Sequence, residues 1–570
     1  METWVLLAAK AVPKSFSTIS RLSPWLLSLF LILAGKDSGA AVAVSVGVNF
    51  TGSTFGVDSE FIPPDANGAI GPGRFVEFIN GTVAVYNKTN GASVQRKSNL
   101  EFWADAGLII AQDNVTSDPR VIFDPAVQRW FAVQVTVNSS APDPTALANK
   151  FLVAVSTTSS PTGPWKGFSF QADPDNGFFA DFPTLGLDGD AVYISGDFYS
   201  AGETPEGPGL VSIPKADLLA ATPTVANMHW FGVMDYAVRG AVLQPAICFD
   251  GSATGSVLSI GDIGSDSSPH TNVVWFAVQN AGGASPALSS SSFLNVLPYQ
   301  VPDNADLDAP QFTALQPDGS TTLMANDARL SAKVYAVGGV LYAVHNTLVN
   351  GRIAIRWYRI RAADHVLIEQ GTIADPNLDL FFPSIAANQY GVVVIGCNGS
   401  GAATFVNSYA YVGETKNGTT TFGGGILLQA GAGSYHDIYE IIAQLLEEPV
   451  VPSRWGDYSA MSVDPADPTR FWTIQTYPSA VDPDTGGTWS TQISEIIATT
   501  PPQLSIAPAG TNVLVSWPLY ASSYQLQTTT NLINAGSWSL TTPTASTNGL
   551  VISALVPKTA TSQFFRLTTP

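Results

Sequence analysis

A short pattern recurs seven times along this chain: a polar opening, an apolar strand, a tight turn and a second apolar strand. The copies open at Pro63, Asp118, Asp181, Gln244, Asp327, Phe382 and Arg454. Two of them read DPRVIFDPAVQRWFAVQV and DFPTLGLDGDAVYISGDF. A lone β-hairpin cannot bury its apolar face, so hairpins recurring every 50 to 85 residues or so must stack on one another, as in a radial array. This predicts an all-β fold, most simply a seven-bladed β-propeller over residues 44–499. Six or eight blades would also fit the spacing. The segment SVGVNF (45–50) is expected to pair with the last blade and close the ring.

Turn chemistry supports the hairpins. Asp188-Gly189 and Gly338-Gly339 read as two-residue turns that match strand twist, while Asp124-Pro125 and Asp464-Pro465 open longer ones. Runs such as FLVAVSTT (151–158) and VVWFAVQN (273–280) supply outer strands. Two long polar inserts, 281–326 and 402–453, read as functional or irregular loops. Within the second, DIYEIIAQLLEE (437–448) has apolar residues at 438, 441, 442, 445 and 446, the period of an amphipathic helix.

Composition narrows the class. Charged residues are only 12% of the chain, too few for a helical protein of this size. The net charge of -20 argues against a nucleic-acid partner, because phosphate contacts need a basic face. Residues 1–43 read as a signal peptide: Lys10, Lys14 and Arg21 precede the apolar run WLLSLFLILA, and Ala41-Val42-Ala43 supplies a small-x-small cleavage site. An uncleaved anchor is the alternative. The expected location is therefore secreted, cell-surface or periplasmic. The two cysteines, Cys248 and Cys397, fall in different blades and read as buried free thiols.

After Thr499 to Pro502 the chain changes character. Residues 503–570 read as a small β-sandwich and resemble the immunoglobulin or fibronectin type III modules at the C-terminus of many exported bacterial proteins, through LSWP, LQTTTNL and QFFRL. The resemblance implies a spacer or a cell-surface attachment. The propeller part resembles exported bacterial β-propellers related in architecture to sialidases and furanosidase-type glycosidases. PPDANGAIGP (63–72), DPRVIFDPAVQRWF (118–131), STTSSPTGPW (156–165) and RWGDYSAMSVDP (454–465) carry it. DPDTGGTW (482–489) resembles a sialidase Asp-box, a structural turn.

Residues that open the inner strands gather at one mouth of a propeller channel. By resemblance to sialidases, Arg120, Arg329 and Arg454 would grip a substrate carboxylate. The alternative is that each pairs with an aspartate of its own or the next blade and holds the blades together. Asp65, Asp118, Asp181 and Asp457 open different blades and are candidates for the paired carboxylates of a glycoside hydrolase. Their alternative role is to accept hydrogen bonds from turn backbone. Glu77, inside the apolar run FVEFIN, is an odd place for an unpaired charge. His345 could face the channel or be hydrogen-bonded within its blade. No cofactor is expected, although Asp303–Asp308 and Asp173–Gly177 have the composition of structural Ca²⁺ loops. The motifs hold no complete catalytic set. The expected function is a binding or scaffold module for a carbohydrate or protein ligand, with glycoside hydrolysis as the alternative.

Overall fold

The computed structural model describes residues 42–252, 254–261, 269–302, 313–448, 452–482, 486–533 and 535–569. The fold is all-β. Among the described residues antiparallel strands form seven units of at least four strands each, and the unit openings follow the sequence repeat. Their inner strands are Asn67–Ile70, Asn114–Asp124, Phe179–Leu187, Ala241–Cys248, Val334–Val337, Asp379–Ala387 and Ala460–Val463. Each inner strand packs beside the next, and the seventh packs beside the first, so the units close into a ring around a channel. Ala43–Thr54 lies antiparallel to Gly486–Thr499 as the outermost strand of the seventh unit, and so closes the ring with the start of the chain.

Several expectations need correction. FLVAVSTT and VVWFAVQN belong to third strands, Lys150–Ser156 and His270–Gln279, and further strands lie outside them. The insert 402–453 is largely regular: Thr404–Lys416 is the third strand of the sixth unit, and Thr419–Phe422 and Ile426–Gln429 both pair with it. Asp188-Gly189 is not a mirror-image turn. The Asp188 carboxylate instead accepts from the backbone of Asp190 and Ala191 and shapes the bend itself. At Gly338-Gly339 both residues do take positive φ, 58° and 76°, which glycine tolerates without strain.

Ile438–Leu445 is a helix capped by the Asp437 side chain, as the period predicts, but it is turned the other way. Ile442, Leu445 and Leu446 are exposed and Glu440 is buried. Glu440 wins because it accepts from Thr322 and Ser453 and pairs with His436 at 3.0 Å, a set of bonds no leucine could replace.

Glu77 is buried but not unpaired. It accepts from Tyr86 (2.6 Å), from the Ser53 hydroxyl (2.7 Å) and from Thr491, tying the first unit to the closing strand. His345 lies within the fifth unit, bonded to Tyr358 (2.8 Å) and to the Asn346 carbonyl (2.6 Å); burial holds its pKa down to about 3. Both cysteines are free and buried.

Beyond the ring, 505–518 and 545–557 contribute a four-stranded sheet, and 525–529, 539–540 and 564–568 a three-stranded one. The two share a core of Val515, Trp517, Leu526, Ile552 and Ala554. Residues 1–41, all but the last two of the expected signal peptide, and 303–312, which hold the Asp303–Asp308 loop, lie outside the described residues. So does the centre of the Asp-box turn, 483–485. Asp173 uses its carboxylate on the backbone of Asp175, Asn176 and Phe178, as a turn does rather than a metal loop. Among the described residues no group of three or more His, Cys, Asp or Glu is placed to hold a metal ion.

Candidate functional site

The inner strands of the third, fourth and fifth units pair parallel to one another. Strand starts therefore meet at one mouth of the channel and strand ends at the other. The starts share a device. Asp65, Asp118, Phe182, Val242 and Phe382 take positive φ between 48° and 59°, the left-handed region that side chains other than glycine rarely enter. In the second, third, fourth and sixth units a register shift marks a β-bulge at this point. A bulge re-aims the side chains around it. Here it turns the strand-opening residues toward the mouth.

Asp65, Asp118, Asp181 and Asp457 come together there. Asp65 accepts from the Asp457 backbone (2.9 Å) and from the Asn80 amide (2.7 Å). Asp118 accepts from the Tyr458 hydroxyl (2.6 Å) and the Ser117 hydroxyl (2.9 Å). Asp457 accepts from Asn326 (2.9 Å) and pairs with Arg454 at 3.0 Å. Asp181 is half-buried, and among the described residues no side chain donates to it. Crowded carboxylates in a poorly solvated site resist ionisation together. Burial, then Asp457 and Asp118, hold the Asp65 carboxyl well above the usual range. Burial and Asp457 raise that of Asp118. Burial, then Asp118 and Asp457, push Asp181 up to about 7.

The three arginines do not converge as a free trio. Arg329 holds Asp327 with Nε and Nη2, at 2.8 and 2.6 Å, and its guanidinium lies 4.5 Å from the Phe182 ring centre. Arg454 is held by Asp457. Arg120 lies one layer deeper and is fully buried. It donates to the carbonyls of Pro183 (2.7 Å) and Ser331 (2.9 Å) and stacks 3.5 Å over the Tyr458 ring. That layer is a ring of buried polar residues two positions beyond the bulges: Asn67, Arg120, Thr184, Gln244 and Ser384, with Ser459 bonded to Ser384.

Asp197, Tyr199 and Tyr458 complete the mouth and were not predicted. Asp197 lies directly across the hairpin from Asp181, and burial pushes its carboxyl up to about 6. Counting out from the turn would have set Phe198 opposite Asp181; the bulge between Asp181 and Thr184 shifts the partner by one, to Asp197. Tyr458 carried no local signal either, because its partner Asp118 is 340 residues away.

No family model and no curated relative matches the chain. Among solved structures, a protein of unknown function from Dyadobacter fermentans is 11% identical, with 68% of this chain and 96% of that one covered at a TM-score of 0.35. An exo-β-1,3-galactanase from Phanerochaete chrysosporium, solved with galactose, is 13% identical over 80% of this chain and all of that one, at a TM-score of 0.29. The extracellular domains 1–2 of Drosophila Semaphorin 1b are 9% identical over 80% and 87%, at 0.31. At such TM-scores these likenesses identify no ligand, and the functional reading rests on the site itself.

Proposed function

We propose that the chain is a carbohydrate-binding propeller whose ligand sits in the acidic mouth. The observation that carries this reading is Asp181, half-buried, with no side chain among the described residues donating to it and with a carboxyl pushed up to about 7. Such a group both donates and accepts hydrogen bonds at neutral pH, which suits sugar hydroxyls. Tyr199, half-buried near it, adds an aromatic side chain of the kind that packs against sugars. Arg329 and Arg454 are occupied by aspartates, so the site favours a neutral sugar over an acidic one. Export through residues 1–43 and surface attachment through 503–570 belong to the same proposal.

Glycoside hydrolysis is the second reading, favoured by one feature. A carboxyl pushed up to about 7, Asp181, stands close to a second carboxyl, Asp457, that an arginine holds at 3.0 Å. Glycosidases work with a pair of carboxyls in unlike surroundings, one of them able to act as the acid.

One experiment separates the readings. The mature chain and its Asp181→Asn variant are titrated with neutral oligosaccharides and incubated with a panel of aryl glycosides. Saturable binding that weakens at least tenfold in the variant, without aglycone release, supports the binding module. Turnover that falls as pH rises through about 7, and vanishes in the variant, supports the hydrolase. Neither binding nor turnover rejects both.

A further inference from the structure

The opposite mouth of the channel is a different environment. Strand ends and the turns that follow them line a cavity of about 510 Å³, walled by Ile70, Ile122, Ile247 and Tyr335. Leu550, from the turn between two strands of the C-terminal sheets, also lines it. Among the described residues Lys333 is the one cation that lines it. Lys333 is buried, and its ammonium reaches across the channel to the carbonyls of Gly68 (3.1 Å) and Val121 (2.7 Å).

An ammonium has three donors, and two carbonyls leave one over without cancelling its charge. Neither Lys333 nor Arg120, in the polar layer above, forms an ion pair among the described residues. Arg120 Nη2 and Asn67 Nδ2 are also buried without partners. Gln244 Oε1, an acceptor in the same layer, is buried without a partner as well. Burial and the like charge of Arg120 bring the Lys333 pKa down to about 7. Buried charges are normally paired, and a carboxylate entering the cavity would give the Lys333 ammonium the partner that its two carbonyls do not supply. Two acids stand at the rim. Asp464 is paired with Lys88 at 2.8 Å, and Asp250 accepts from the backbone of Ser252.

We propose that this cavity binds a small organic acid with an apolar body, its carboxylate on Lys333 and its hydrocarbon against the isoleucine wall. One ammonium matches one carboxylate, whereas a phosphate dianion would need more donors than the wall provides. The volume lies in the range of sites for small ligands. The site is separate from the acidic mouth, and its test does not depend on sugar binding.

The experiment is calorimetric titration of the mature chain with acetate, octanoate, decanoate and 1-octanol. Octanoate should bind saturably at one per chain, decanoate more tightly by roughly fourfold per added methylene, and octanol at least tenfold more weakly than octanoate. Lys333→Met should weaken octanoate at least tenfold and leave octanol unchanged. Because Lys333 is buried, Val337→Asp at the half-exposed rim gives a second variant, expected to exclude octanoate in a normally folded protein. The proposal is overturned if octanoate does not saturate, if octanol or acetate binds as well, or if octanoate binding survives Val337→Asp.

Discussion

Asp181 is where pH should act most directly. Its carboxyl titrates near 7 in the folded protein and near 3.8 when exposed. Between those values the folded state holds a proton that the unfolded chain has released. Stability from this group is full below pH 4, declines as pH rises to 7 and is flat above. Asp197, raised to about 6, acts in the same direction over a narrower window. His345 has the opposite sign: its pKa falls from 6.5 to about 3 on folding, so stability is lost as pH drops through that interval. The two effects partly cancel in the intact protein, and a variant is needed to see either. Asp181→Asn should gain stability relative to the parent as pH is raised from 4.5 to 8, by on the order of 2 kcal/mol, measured from guanidinium midpoints at the two pH values.

At the scale of elements, the period of a helix foretells its extent but not its orientation. DIYEIIAQLLEE marks a helix correctly, yet the buried face is chosen by Glu440 and its partners Thr322, His436 and Ser453. Glu440→Ala strands those donors and should cost about 2–4 kcal/mol. Leu445→Glu, on the exposed face, should stay within about 0.5 kcal/mol. Urea midpoints of the two variants test the assignment. A similar logic joins neighbouring blades at the strand-end mouth. The aspartates of the two Asp-Pro turns, Asp124 and Asp464, ion-pair with Lys215 and Lys88 of the next unit, each at 2.8 Å. The turns were legible from the residues, but their lysines, 91 and 376 positions away, were not.

For the whole molecule, stability depends on closing the ring. The closing strand Ala43–Thr54 supplies Ser53 to buried Glu77 and pairs along Gly486–Thr499. The C-terminal sheets have a core of their own and contribute no strand to the ring. Deleting 503–570 should leave the main calorimetric transition within a few degrees of the parent. Deleting 43–54 should abolish that transition or leave the chain insoluble. Scanning calorimetry of both truncations checks this.

Alternation along a strand and the turn that ends it are local properties, complete within one hairpin. That is why the repeats, the all-β class and the closing segment could be read directly from the residues. The site obeys longer rules. Asp65 meets Asp457 across 392 residues, and Lys333 meets Gly68 across 265. Such meetings depend on the number of units, the bulges at strand starts and the level at which neighbouring inner strands align. Packing between blades decides all three. So the chain alone marked Asp65, Asp118, Asp181 and Asp457 as strand-opening acids. Only the closed ring decided that no described side chain donates to Asp181, that Arg120 lies beneath the mouth, and that Lys333 faces an apolar cavity at the other end.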